Sequence, residues 1–167
     1  MVYKHEAAMQ WPEGARIAVM VTVMFEAWPE GKGPPYGPMA SDLREGTLDL
    51  QSIAWAHYGG RTGIWRLLRL LESFGVSATV AANAMAIERF PEAGKAIAQG
   101  GHEIAGHSYT QNMFMPYCSE QEERDLIKRC CDSIESISGQ RPVGWASPRM
   151  TPSAQPELDS GSTIAPG

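Results

Sequence analysis

The chain has 167 residues, and its 14 lysines and arginines against 19 aspartates and glutamates give a formal net charge of −5. A hydrophobic fraction of 43% and a charged fraction of 20% are typical of a folded globular domain, which excludes disorder along the whole chain. The chain has no basic surplus of the kind that marks nucleic-acid binders, and no run of about 18 apolar residues that could span a membrane. We therefore expect neither nucleic acid nor a membrane among its partners.

The N-terminal part is predicted to contain a lead-in, a strand and a long loop. Residues 1–15 are polar and form the lead-in, whereas residues 16–25 form a continuous apolar run, RIAVMVTVMF. Such a run predicts a strand that is buried on both faces, as in a parallel sheet. Prolines and glycines crowd the first part of residues 27–60, which predicts a long irregular loop of the kind that often carries function.

Strand and helix patterns alternate along the rest of the chain. The helical patterns fall at 62–74, 84–89, 91–99 and 119–138, the last of them opened by a capping box at Ser119. Short strands are predicted at 77–82, 103–106 and 143–145. This alternation favours an α/β fold with a parallel sheet.

The C-terminal residues 151–167 differ from the rest, because proline, glycine and serine replace the apolar patterns there. They predict an irregular tail. Since a complete (β/α) barrel usually needs about 250 residues, we expect residues 16–150 to form a partial barrel domain that is incomplete at its C-terminal end. A small open sheet is the alternative.

The cysteines favour a cytoplasmic protein. They number three, and Cys130 and Cys131 are neighbours in a predicted helix, where adjacent side chains point in different directions. This argues against a disulfide framework and for a reducing compartment. The N-terminus also lacks the apolar core of a signal peptide.

Polar side chains follow the predicted strands at the edge where parallel α/β folds collect their functional sites. Glu26 ends the first strand, His107 follows the third, and Arg149 comes shortly after the fourth. We identify these three as candidate catalytic residues. A carboxylate such as Glu26 has a raised pKa when it is partly desolvated, and this suits a general base. The alternatives are an ordinary loop carboxylate at Glu26 and a histidine bonded to backbone at His107. Candidates for contact with a substrate are Trp28, Asn83, Tyr109 and Trp145.

Two histidines close together in the sequence do not predict a shared metal. His102 and His107 are five residues apart in a predicted strand, so their side chains point to opposite faces. The zincin motif instead needs histidines four apart on one helix face. We therefore expect His102 to be structural.

Five segments, taken in order, resemble the polysaccharide deacetylase (NodB-homology) family, and most closely its branch of allantoinase-like and cyclic-imide-hydrolase-like proteins. They are residues 21–26, 58–68, 77–80, 101–109 and 141–149. The resemblance implies a distorted (β/α) barrel that hydrolyses a carbon–nitrogen bond other than a peptide bond, in an N-acyl sugar or a cyclic amide. It also implies that Glu26 activates water while His107 and Arg149 polarise the carbonyl group.

The chain departs from the family where a metal is normally bound. Ala27 stands in place of a metal-binding aspartate, and Gln111 stands in place of the second histidine ligand. His107 is the histidine that remains, so it would be the ligand of any divalent zinc, cobalt or nickel ion. Because these metals favour thiolate, imidazole and carboxylate ligands, we expect no cofactor.

Two functional hypotheses remain open at this point. The first is an amide hydrolase with a small-molecule or oligosaccharide amide as its substrate. The second is a non-catalytic or truncated remnant of the same fold, which acts as a binding module or has no function. The sequence leaves the oligomeric state open, and a homo-oligomer is compatible with either hypothesis.

Overall fold

A computed structural model describes residues 11–44 and 46–153 of the chain. The predicted lead-in therefore lies largely outside the described residues, as does the tail beyond residue 153. The strands are β1 (Thr22–Phe25), β2 (Thr79–Ala82) and β3 (Glu103–Gly106). The helices are α1 (Leu50–Tyr58), α2 (Ile64–Phe74), α3 (Ala84–Arg89), α4 (Pro91–Gln99) and α5 (Glu120–Ser138).

The three strands form one parallel sheet in the order β1-β2-β3. Val23 is level with Val80, which in turn is level with Ile104. Each pair of neighbouring strands is connected through helices, as parallel pairing requires. The predicted α/β fold with a parallel sheet is confirmed in this part of the chain.

The first strand is shorter and less buried than predicted. Instead of spanning residues 16–25, β1 has four residues, of which Val23 and Phe25 are buried while Met24 is 49% exposed. The cause is its place at the edge of the described sheet, where it pairs with β2 alone and covers the core with one face. The apolar side chains that precede it, Ile17, Val19 and Met20, are exposed.

The predicted loop over residues 27–60 is also too long, because its last part forms α1. The side chain of Asp49 accepts a hydrogen bond from Ser52 N at 3.0 Å and so caps the first turn of that helix. A π-helical turn, Gly59–Gly63, then carries the chain into α2. The ring of Phe90 fills the space that a Cβ on Gly60 would need, so this turn packs closely against the end of α3.

The core lies between the sheet and helices α2, α3, α4 and α5. Val80 and Ala82 of the central strand are completely buried. The longest helix, α5, begins at the predicted capping box of Ser119 and packs on α3 and α4. Its buried face consists of Glu123, Leu126, Cys130, Cys131 and Ile134. The three cysteines are free thiols, and burial raises the pKa of Cys130 far above its ordinary value.

The predicted strand at 143–145 is reduced to a single bridge between Gly106 and Trp145. Gly106 N donates to Gly144 O, and Ala146 N donates to Gly106 O, each at 2.9 Å. Pairing does not extend from Gly106 toward the start of β3, because the side-chain oxygen of Gln140 already accepts from Ile104 N at 3.3 Å. Pro142, moreover, has no N–H to offer a ladder.

None of the helices in the described part of the chain is both long and apolar enough to cross a lipid bilayer.

Candidate active site

The carboxyl ends of the three strands bring together Glu26, Asn83 and His107, as the sequence predicts. Asn83 N donates to Phe25 O at 3.1 Å, and His107 N donates to Ala82 O at 2.9 Å. These bonds continue the strand pairing by one residue, so the polar side chains start from a rigid edge rather than from a free loop.

Glu26 and His107 face each other across this edge. Glu26 Oε1 lies 3.6 Å from His107 Nε2. The Glu26 side chain is 25% exposed, whereas that of His107 is only 2% exposed. The carboxylate therefore lies at the mouth of the site, with the imidazole beneath it.

The orientation of the His107 ring is fixed by its second nitrogen. Nδ1 lies 2.5 Å from the carbonyl oxygen of Ala146. A carbonyl can only accept, so we assign a proton to Nδ1, which leaves Nε2 directed at Glu26. Nε2 is buried and has no hydrogen-bond partner among the described residues. This nitrogen is therefore available to a molecule bound beside Glu26.

Asn83 is completely buried, and the protein itself uses its carboxamide. Its Oδ1 accepts from Ala27 N at 2.8 Å, and its Nδ2 donates to the carbonyl oxygen of His107. Because both ends of the group are occupied in this way, Asn83 supports the site from below.

Gln111 is a site residue that the list of candidates from the sequence omits. Its backbone N donates to Ala27 O at 2.9 Å, and its side-chain oxygen is buried without a hydrogen-bond partner among the described residues. Buried polar atoms without partners are rare in native proteins and often mark places where a ligand or water binds. The signal in the sequence was its spacing of four residues from His107.

Arg149 is held by aromatic rings. Its guanidinium lies 4.1 Å from the centre of the Tyr36 ring and 5.7 Å from that of Phe114. Its φ of +55° is a left-handed conformation that is costly for a residue with a side chain. Among the described contacts, none joins Arg149 to Glu26 or His107.

The remaining candidates have partners within the fold. Tyr109 donates its hydroxyl to Glu88 at 2.8 Å, and burial together with this carboxylate raises its pKa. Trp28 is buried, and its carbonyl accepts from Arg89 at 3.0 Å. Trp145 packs on Gly106 at the strand end. Of these three aromatic residues, Trp145 is the one that lies directly against the strand end that carries His107.

His102 has the structural position expected of it. It is buried at the opposite end of β3, where its Nδ1 accepts from Ala78 N at 3.2 Å. This bond ties the start of β3 to the residue before β2.

The described donor atoms do not fit a divalent transition metal. Within residues 11–44 and 46–153, no three His, Cys, Asp or Glu side chains cluster closely enough to hold an ion. Beside Glu26 and His107 the site offers the methyl group of Ala27 and the neutral amide of Gln111, whereas catalytic zinc sites use three protein ligands. We therefore derive no catalytic step through a metal.

Comparison with known proteins finds deacetylases among the relatives of this chain. The sequence model of the polysaccharide deacetylase family matches residues 55–156. A peptidoglycan deacetylase-like protein of Gibberella zeae is 31% identical over 141 residues, which are 80% of this chain and 37% of that protein. A peptidoglycan deacetylase of Helicobacter pylori is 32% identical over 91 residues, or 54% of this chain and 31% of that protein.

Among solved structures, the PuuE allantoinase superposes with a TM-score of 0.71 at 26% identity. The match covers 93% of this chain and 54% of the allantoinase chain. The chain thus spans about half the length of this structural neighbour, and about a third of each curated relative.

Proposed function

We propose, since the chain belongs to the polysaccharide deacetylase family, that it is a hydrolase of carbon–nitrogen bonds other than peptide bonds. Its substrate would carry an amide, either on an N-acyl sugar or within a cyclic amide. The observation that carries this proposal is the 3.6 Å approach of Glu26 Oε1 to the buried Nε2 of His107. A carboxylate and an imidazole at one strand edge can supply a general base and a hydrogen-bond donor.

In the proposed reaction Glu26 acts as the base. It takes a proton from a water molecule as the water oxygen bonds to the amide carbon, and the carbonyl electron pair moves onto the carbonyl oxygen. When the carbon–nitrogen bond breaks, the leaving nitrogen receives that same proton from Glu26. The products are a carboxylic acid and an N–H group, which is an amine from an N-acyl sugar and an amide or urea group from a cyclic imide or ureide, and Glu26 returns to its ionised form.

His107 stabilises the charge that develops on the carbonyl oxygen. With Nδ1–H directed at Ala146, an imidazolium presents Nε2–H toward Glu26 and the reacting group. Hydrogen bonds to a developing oxyanion are typically worth about 3–4 kcal/mol in the transition state. We assign this role to His107 rather than to Arg149, because the described contacts of Arg149 are with Tyr36 and Phe114.

Two substrate classes follow from the two kinds of relative. N-acetylated chitooligosaccharides represent the deacetylase relatives, and hydantoin, succinimide and allantoin represent cyclic amides and ureides. Purified protein is incubated with each compound, and release of acetate or ring opening is followed by chromatography. Turnover that disappears in Glu26→Gln supports the proposal, whereas unchanged turnover in that variant contradicts the role of the base.

A non-catalytic binding module is the second candidate. It is favoured by Ala27 and Gln111, which replace two residues of the family's metal-binding motifs. In that case calorimetry would detect binding of chitooligosaccharides with no hydrolysis of any compound in the panel.

For either function we propose a cytoplasmic location, because all three cysteines are free thiols, as a reducing compartment keeps them.

A further inference from the structure

The carboxamide of Asn83 joins the ends of all three strands. It belongs to the residue that follows β2, accepts from Ala27 just beyond β1, and donates to His107 just beyond β3. One buried group therefore connects the backbone next to Glu26 with the backbone of His107.

The geometry points to Asn83 as the positioning residue that sets the separation between the Glu26 carboxylate and the His107 imidazole. This inference rests on the proposed function, in which those two groups act together. Asn83 itself would touch neither substrate nor the reacting atoms, since it is completely buried with both polar atoms engaged.

On the Glu26 side, the next residue is held at both of its backbone polar groups. Ala27 N–H donates to Asn83 at 2.8 Å, and Ala27 C=O accepts from Gln111 N at 2.9 Å. Ala27 is also buried. With its neighbour held in this way, the backbone of Glu26 has little freedom to shift toward or away from His107.

On the His107 side, the carboxamide holds a peptide group that is under strain. Ser108, directly after His107, has a φ of +62° and is completely buried. A non-glycine residue in this conformation typically costs on the order of 1 kcal/mol and persists only when its surroundings enforce it. The bond from Asn83 to the His107 carbonyl is one such constraint, so its loss lets this peptide relax and the imidazole move.

The chain contains a natural control for this arrangement. At the opposite end of β3, Gln140 makes the same two kinds of bond: its Oε1 accepts from Ile104 N at 3.3 Å, and its Nε2 donates to His102 O at 3.1 Å. Removing either carboxamide deletes one bond to an N–H and one to a carbonyl. Only Asn83 lies at the end of the sheet that carries Glu26 and His107.

The test compares Asn83→Ala with Gln140→Ala in the full chain. Both variants should lower the melting temperature, but only Asn83→Ala should lower kcat, by roughly 100-fold if the reacting groups shift by about 1 Å. The KM of Asn83→Ala should stay within about twofold of the wild type, because the lost contact is not one with substrate. Asn83→Asp, which keeps the size and the acceptor for Ala27, provides a second variant in case Asn83→Ala does not fold.

Equal losses of kcat in Asn83→Ala and Gln140→Ala would reduce Asn83 to a stabilising residue and overturn the inference. A raised KM with unchanged kcat would overturn it as well, because it would indicate a substrate contact. If the wild type turns over no compound, the proposed function fails. The inference is then tested by NMR of the imidazole nitrogens, and the resonances that disappear in His107→Ala are those of His107. Their displacement in Asn83→Ala but not in Gln140→Ala supports positioning, and unchanged resonances in both reject it.

Discussion

Trp145 lies directly over Gly106, so that a Cβ on residue 106 would stand 2.5 Å from Trp145 Cε3 and 2.7 Å from Cζ3. These distances are shorter than carbon atoms tolerate without bonding. The contact joins the end of β3 to the segment whose Ala146 carbonyl orients the imidazole of His107. The absence of a side chain at residue 106 therefore allows these two segments of the site to pack against each other.

Gly106→Ala should destabilise the protein, because the new methyl group forces Trp145 away from the strand. Overpacking of this kind typically costs about 1–3 kcal/mol of unfolding free energy, which urea titration can measure. The matched control is Gly59→Ala, where a Cβ would meet nothing within 4 Å. That variant should match or slightly exceed the wild type, because alanine has less backbone entropy to lose than glycine.

Glu26→Gln should reduce turnover of whichever amide the protein hydrolyses by about 100- to 10,000-fold, since a neutral amide cannot take a proton from water. The substitution preserves the size of the side chain, so the melting temperature should change little. Glu30→Gln serves as the control, because the Glu30 side chain is 92% exposed. Comparable losses in both variants would show that charge near the loop, and not a base at residue 26, supports activity.

Ser119→Ala should lower the free energy of unfolding by about 1 kcal/mol, because it removes the cap of the longest helix. Ser119 Oγ accepts from Glu122 N at 3.3 Å, and the Glu122 carboxylate accepts from Ser119 N at 2.8 Å. The bond from Ser119 N, together with one that the Ser119 hydroxyl donates to the same carboxylate at 2.8 Å, lowers the pKa of Glu122. Ser136→Ala, in an exposed turn of the same helix, should be neutral or slightly stabilising, as alanine is the better helix former.

His57 should make stability depend on pH. Partial burial, followed by the nearby charges of Arg89 and Arg61, lowers the pKa of His57 below its ordinary value of 6.5. The unfolded state therefore binds a proton more readily than the folded state, and the contribution of His57 is lost as the pH falls from about 6.5 toward the lowered pKa. Melting temperatures between pH 8 and pH 5 should decline less in His57→Gln than in the wild type, and parallel declines would contradict the assignment.

Elemental analysis after exhaustive dialysis should find far less than one zinc, cobalt or nickel ion per chain. The expectation follows from the donor set, in which Ala27 contributes no ligand and Gln111 only a neutral amide. About one equivalent of metal that is lost in His107→Ala would overturn it and would assign His107 to metal binding.

Local patterns were enough to predict most of the regular structure. The capping box of α5 is confirmed, as are the bounds of α3, α4 and β3. Their common feature is that neighbours in sequence supply the deciding interactions, such as the cap of Ser119 on Glu122. The meeting of Glu26 and His107 was also predictable, since parallel strands present their carboxyl ends at one edge.

Other features depended on contacts between residues far apart in the chain. An apolar run cannot reveal whether both faces of a strand are covered, so the partial burial of β1 was decided by its place at the sheet edge. In the same way, Gln140 occupied the N–H of Ile104 and limited the predicted fourth strand to one bridge.

The sequence by itself determined the α/β alternation, the order of the elements and the strand ends that hold Glu26, Asn83 and His107, because each follows from local periodicity and parallel topology. Only the tertiary structure decided what those side chains do. It placed Asn83 beneath the site with both polar atoms engaged, and it stacked Arg149 on Tyr36. A side chain's role depends on which distant groups satisfy its hydrogen bonds and charge, and folding alone brings those groups within reach.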